Sequence, residues 1–194
     1  MEPNMFCYQC QETAKGTGCI LKGVCGKESH TAQAMDLLLF VVRGVSVVAD
    51  VLRKADCPVS EEVNIFVTDA LFCTITNANF DDESILKRVD KGITMRNGLI
   101  QEAKHNKVLL PKVDELTWQG TRDDYAGKAK TVGVLREQNE DLRSLKELLV
   151  YGLKGMAAYL EHAMRLGFND DTVHVFMQRA MATIAVGSLS PEGW

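Results

Sequence analysis

Along most of the chain the apolar positions recur at helical spacing. From Thr31 to Ala55 (TAQAMDLLLFVVRGVSVVADVLRKA), residues 35, 38, 39, 42, 45, 48, 49 and 52 are apolar, the i, i+3, i+4, i+7 period of a helix with one apolar face. Asp56, Cys57 and Pro58 break it. Ser60 then offers a hydroxyl cap, and Glu61 and Glu62 first-turn acids, for a second helix running to about Ala78. The β-branched residues of that segment leave a strand as the alternative. After a turn at 79–82, Glu83 to His105 forms a third helix. Segment 106–120, with Pro111, Gly120 and no long periodic run, reads as a connector. Thr121 to Asp124 caps a short helix to about Lys130, and Asn139 opens a strong one that Gly167 ends. Asn169 to Asp171 caps the last helix, Thr172 to about Val186, before Gly187 and Pro191 stop it. The predicted fold class is all-α: a cysteine-rich loop (1–30), a three-helix bundle (31–105), a connector (106–120) and a second three-helix bundle (121–194).

An internal echo supports the two-bundle reading. Asp36-Leu-Leu-Leu-Phe-Val-Val-Arg43-Gly44-Val45 aligns with Glu147-Leu-Leu-Val-Tyr-Gly-Leu-Lys154-Gly155-Met156 at an offset of 111 residues. An acid, a Leu pair, a base and a glycine recur at the same places. Glycine in mid-helix costs about 1 kcal/mol against alanine, so its recurrence predicts close helix–helix contact at both.

The chemistry concentrates in Met5 to Lys27, MFCYQCQETAKGTGCILKGVCGK. Cys7, Cys10, Cys19 and Cys25 stand in the spacing C-x2-C-x8-C-x5-C, among glycines at 16, 18, 23 and 26. Glycine permits the tight, left-handed turns that aim backbone N–H groups inward, as a negatively charged sulfur-ligated group requires. Four thiolates outweigh the charge of an oxidised four-iron core, and Lys15, Lys22 and Lys27 could offset part of the remainder. A structural zinc site and a pair of disulfides use the same residue types. Zinc modules, however, usually pair two C-x2-C or C-x2-H halves, and the second half here is spread to C-x5-C.

The same stretch resembles the opening of the hybrid-cluster (prismane) proteins, the hydroxylamine reductase family. The likeness continues through MDLLLFVVRGVS (35–46), LFCTITNANFDD (71–82), KAKTVGVL (128–135) and NEDLRSLKELLVYGLKGMAAYLEHA (139–163) to about Ser190. In that family the short cysteine spacing accompanies a 4Fe–4S cluster, typical of members from anaerobes, and a longer spacing a 2Fe–2S cluster. The resemblance implies that Cys7, Cys10, Cys19 and Cys25 are the four ligands of one 4Fe–4S cluster. It also implies a first domain of two three-helix bundles. Family members are much longer, and the His, Glu and Cys ligands of their catalytic iron–sulfur–oxygen hybrid cluster lie in later domains that nothing here matches. The chain thus resembles the amino-terminal domain of such an enzyme, with no catalytic residue of its own. By resemblance the parent protein reduces hydroxylamine, with nitric oxide the other candidate substrate. This domain would take electrons from a redox partner and pass them towards the hybrid cluster in the missing domains. Alone, it is expected to hold the cluster without turning over hydroxylamine.

Bulk properties narrow the field further. A length of 194 residues suits one domain or two small ones. Net charge of −4 and no basic stretch with interleaved aromatics give nucleic-acid binding no support. The longest apolar run, Leu37 to Val42, is far too short for a membrane span, and no charged-then-apolar leader opens the chain. Cysteine-rich without an export signal, the chain is expected in a reducing cytoplasm, bound to neither membrane nor nucleic acid. No G-x-S-x-G, H-E-x-x-H or phosphate-cradling glycine loop is found. Cys57 and Cys73 read as small buried hydrophobes. His30 reads as a surface or capping residue that could also tune a cluster, and His162 and His174 as helix-face residues. Adjacent Glu161 and His162 diverge on a helix and share no metal. Phe6 and Tyr8 flank Cys7 and would shield a cluster from water, and the charged runs 81–88 and 136–143 read as solvated faces. Two other classes of function compete with electron transfer: a structural module stapled by zinc or a non-redox cluster, and a sensor responding to redox state or nitric oxide.

Overall fold

The structure is a computed structural model that describes residues 5–10, 13–75 and 78–187. Its helices are α1 (Ser29–Lys54), α2 (Glu61–Cys73), α3 (Asp82–His105), α4 (Asp114–Thr117), α5 (Tyr125–Val132), α6 (Glu140–Arg165) and α7 (Asp171–Val186). Single 3-10 turns occupy Ala14–Gly16, Arg122–Asp124 and Val134–Arg136. Among the described residues there is no strand, only one isolated antiparallel bridge between Cys7 and Cys19. The fold is all-α. Helix starts follow the capping residues. Asp81 accepts from the N–H groups of Glu83 and Ser84 at 3.0 and 3.2 Å, Asn139 from Leu142 at 3.0 Å, and Asp170 from Thr172 at 2.8 Å. Ser60 stands at the N-cap of α2, but its hydroxyl makes no capping bond. Gly167 and Gly187 take left-handed φ values of 83° and 69° just past α6 and α7.

Helix α2 ends earlier than its sequence pattern suggests. The Thr74 hydroxyl donates back to the Leu71 carbonyl at 2.8 Å, a local bond that competes with continuation of the helix. Residues 76–77 of the longer predicted helix lie outside the described residues. The strand alternative is not realised: Val63, Phe66, Val67, Ala70 and Leu71 bury one helical face.

Helix α1 is the hub. Between Met35 and Leu52 only Arg43 and Val51 are not buried, because the LLLFVV run is apolar all round rather than along one stripe. It packs against α2, α3, α4, α5 and α7, while α6 reaches the assembly through α2 and α7. One continuous apolar cluster runs from Met35 through Ile85 and Leu153 to Ile184.

Segment 106–120 departs from its reading as a plain connector. It contains α4, and the α4 backbone crosses α1 at Gly44. A Cβ on Gly44 would meet the Glu115 carbonyl oxygen at 2.5 Å and Arg96 Cδ at 3.1 Å. The echoed glycine behaves differently: a Cβ on Gly155 meets nothing within 4 Å, so the close contact predicted at both positions holds at Gly44 and fails at Gly155. Gly44→Ala should therefore destabilise the chain by about 1–3 kcal/mol through overpacking. Gly155→Ala should stabilise it by up to about 1 kcal/mol through helix propensity. Thermal melts of the two variants check this, and shifts of the same sign would contradict it.

Polar side chains tie α1, α2 and α7 together inside the assembly. Arg53 donates to Asn64 Oδ1 at 2.8 Å and to Gln178, and Gln178 donates to the same Asn64 oxygen at 2.8 Å. His174 is 1% exposed, with Nδ1 3.1 Å from the Thr68 hydroxyl and Nε2 2.8 Å from Asn169 Oδ1. The satisfied helix-face reading of this histidine is met. Burial holds its ring basicity below the usual imidazole value. A depressed histidine pKa means that the unfolded chain binds the extra proton first. The neutral ring's full contribution is therefore present above the ordinary imidazole pKa, and stability falls as pH drops from there towards the folded value. Urea midpoints measured between pH 8 and about pH 5 should decline, with a shallower slope in His174→Gln.

Candidate functional site

The cysteine loop rests on the amino-terminal end of α1. Cys7 and Cys19 face each other through a pair of backbone bonds, Cys7 N–H to Cys19 O at 3.0 Å and Cys19 N–H to Cys7 O at 2.9 Å. With Met5 and Ala32 they form a small apolar cluster separate from the main core. The two remaining loop cysteines are half-buried, and all six cysteines of the chain are free. Cys10 lines a cavity with Tyr8, Thr17 and the α6 residues Leu148 and Tyr151. Cys25 sits in a tight turn closed by Gly26 N–H to Gly23 O at 2.8 Å and by Gly23 N–H to Lys27 O at 2.8 Å. A Cβ on Gly23 would lie 3.1 Å from Cys25 Sγ. Gly18 and Gly26 adopt φ of 111° and 97°, which side-chain-bearing residues rarely tolerate. The backbone thus brings Cys7 and Cys19 together and carries Cys10 and Cys25 on the same loop. Among the described residues, no three His, Cys, Asp or Glu side chains gather within reach of a single metal ion.

The loop's surroundings are more polar than its sequence suggests. Burial pushes the Cys7 thiol up to about 11, although the backbone N–H of Gln9 pulls it down. The Thr13 hydroxyl is buried without a partner. Gln9, between the first two cysteines, is 6% exposed. Its amide donates to Asp36 Oδ1 at 2.9 Å and its carbonyl accepts from Lys154 Nζ. Burial, helped by the nearby charge of Glu147, raises Asp36 to about 7, and burial lowers Lys154 to about 8. Gly133 makes room for the Asp36 carboxylate, whose Oδ2 would stand 2.8 Å from a Cβ there. Beside this group a cavity of about 180 Å³ is lined by Asp36, Arg43, Glu115, Arg136, Arg143 and Glu147 among others.

Several expectations about individual residues change. Lys27, one of the three lysines expected to offset cluster charge, is 2% exposed and engaged elsewhere. Its Nζ donates to the Ile75 carbonyl at 3.2 Å and lies 5.2 Å from the centre of the Phe80 ring. Lys22 pairs with Glu28 at 2.6 Å in solvent, and Lys15 is exposed at a left-handed φ of 57°. Phe6 covers Gly18, whereas Tyr8 is 42% exposed and shields little. The run 136–143 is not simply a solvated face, because Arg136 pairs at 2.9 Å with Glu115, itself 2% exposed, and Glu137 pairs at 2.7 Å with Lys146. In the run 81–88, Ile85 is fully buried and Arg88 holds Asp69 at 2.8 Å. His30 is exposed and pairs with Asp82 at the start of α3. His162 packs edge-on to Phe72 with ring centres 6.0 Å apart. Cys73 is buried and accepts from Asn79 at 3.3 Å, and Cys57 is half-buried against the core. Among the described residues no helix is long and apolar enough to cross a membrane.

An all-helical scaffold with four free cysteines on an amino-terminal loop, backed by a buried charge network, defines a class of cysteine-loop helical domains. Comparison with known proteins makes the class specific. A sequence model described as the Prismane/CO dehydrogenase family matches residues 5–190, and the chain belongs to that family. It is 52% identical over 190 residues to a hydroxylamine reductase of Bacteroides thetaiotaomicron, covering 97% of this chain and 34% of that protein. It is 48% identical over 193 residues to one of Porphyromonas gingivalis (99% and 35%) and 41% identical over 215 residues to one of Clostridium botulinum (97% and 38%). The chain spans about a third of the length of these relatives.

Proposed function

We propose that this chain is the electron-transfer domain of a hydroxylamine reductase-type protein and holds one 4Fe–4S cluster on Cys7, Cys10, Cys19 and Cys25. The observation that carries the reading is the backbone pairing of Cys7 with Cys19 in a loop of four free thiols, within a chain of the prismane family. The loop's chemistry fits such a group. Its donors are all thiols, its glycines take left-handed turns, and the buried Thr13 hydroxyl lacks a partner that an inorganic sulfide could supply. When bound, the cluster supplies storage for single electrons. The protein's own part is to hold it through the four sulfurs, to exclude water on the Phe6 side, and to surround it with N–H groups.

In this reading a redox partner reduces the domain. The later domains of the parent protein carry the hybrid cluster and the reduction of hydroxylamine, and no catalytic residue lies in this chain. Residues 1–30 serve as the cluster loop, and 31–105 and 121–194 as two helical units joined by 106–120. A reducing cytoplasm suits the six free cysteines. The experiment is an anaerobic redox titration of the iron-loaded chain followed by addition of hydroxylamine. Reversible one-electron bleaching of a brown chromophore without loss of hydroxylamine is expected. Turnover of hydroxylamine would overturn the division of labour, and a colourless, redox-silent zinc protein would leave the structural staple.

A further inference from the structure

The sequence echo between α1 and α6 is also a spatial pairing of charges. Asp36 and Arg43 stand two turns apart on α1, and Glu147 and Lys154 two turns apart on α6. Each acid is coupled electrostatically to both bases. At one end Arg43 continues the network to buried Glu115 at 3.6 Å. At the other end Lys154, 3% exposed, stays coupled to both acids and also donates to Gln9, between Cys7 and Cys10. Cys7 is among the groups whose charge acts on it. A lysine serving only to neutralise the core would direct its ammonium to a carboxylate. This one bonds the neutral amide of the cysteine loop, so its charge is held beside the loop and acts on Cys7 as well as on Glu147. In a low-dielectric interior such a charge acts strongly on its neighbours.

We propose that Lys154, held at the cluster loop by Gln9, is a positioning residue that supplies the fixed positive charge setting the reduction potential of the centre held there. The inference rests on the assignment of the four cysteines made above. Reduction adds one electron to a net-negative site, and a buried cation beside that site favours the reduced form. Asp36 and Glu147 work in the opposite direction, so the potential reflects their balance with Lys154.

The test uses the full chain loaded with iron and sulfide, with midpoint potentials measured for the parent, Lys154→Met and Glu147→Gln. Lys154→Met keeps the volume and removes the charge. At a fixed solution potential it should lower the reduced-to-oxidised ratio at least about tenfold, which is 59 mV for a one-electron couple. Glu147→Gln should raise the ratio, and Lys154→Arg should restore most of the parent value. Equal potentials in parent and Lys154→Met, or a shift of the same sign in Glu147→Gln, overturn the proposal. So does a folded Lys154→Met chain that takes up no iron, since the lysine would then build the site rather than tune it. A parent chain that binds no iron contradicts the cluster assignment itself, an outcome distinct from all of these.

Discussion

Replacement of any one of Cys7, Cys10, Cys19 or Cys25 by serine is expected to reduce iron and acid-labile sulfide to below about a tenth of the parent chain's content, because a four-iron cube lacking one thiolate is readily lost. The burial of Cys7 makes its case the sharpest. Its thiol is pushed up to about 11 in a nearly dry site, so that a thiolate there is stable only when a cationic group compensates it. Cys57→Ala and Cys73→Ala are the controls. Cys57 packs against the main core, and Cys73 ends α2, where its sulfur accepts from Asn79 and lies within reach of the Lys27 charge; neither is one of the four loop thiols, and their loss should leave iron content unchanged. Equal loss of iron across all six variants would show that folding, rather than ligation, governs uptake.

The second large effect is expected at Arg96. It is among the largest fully buried side chains of the described residues, and it donates to the carbonyls of Glu115 at 2.9 Å and Trp118 at 2.8 Å. Those two bonds anchor α4 across Gly44 and seat Trp118 edge-on to Phe40, with ring centres 5.9 Å apart. Arg96→Met keeps most of the volume but leaves two carbonyls unpaired. Charged hydrogen bonds of this kind contribute about 1.5–3 kcal/mol each, so a loss of roughly 3–5 kcal/mol is expected. For a chain of this size that lowers the melting temperature by about 10 °C or more. Arg122 makes the comparison informative. It contacts Asp90 and Glu83 through several short bonds, yet all three side chains are well exposed. Arg122→Ala should cost less than about 1 kcal/mol. Melts giving the two variants similar losses would contradict the role assigned to burial.

Helix positions were legible because period and caps agree: α1, α3, α6 and α7 start and stop within about two residues of their signals. Helix α4 was not legible. Four residues carry no period, and what fixes them is Arg96, 19 residues upstream of the carbonyl it binds. The central place of α1 was half visible, since the run LLLFVV has no polar face to turn towards water, although a single stripe accounts for its spacing equally well. Four cysteines in a short glycine-rich stretch point to a sulfur-ligated group, and the cluster proposal rests on that spacing together with the family. What surrounds them could not be read locally, because Gln9 meets Lys154 across 145 residues. The only hint was the acid–base echo of α1 and α6, and its glycines were the misleading part: Gly44 marks a contact and Gly155 does not. Charged runs mislead for a related reason. Composition cannot show that Arg136 reaches a carboxylate as enclosed as that of Glu115.

The measurement that bears most directly on the account is the iron, acid-labile sulfide and zinc content of the chain purified without oxygen. The account predicts roughly four iron and four sulfide per chain, with no stoichiometric zinc. One zinc per chain without sulfide, or a metal-free protein whose loop thiols are joined as disulfides, would contradict it.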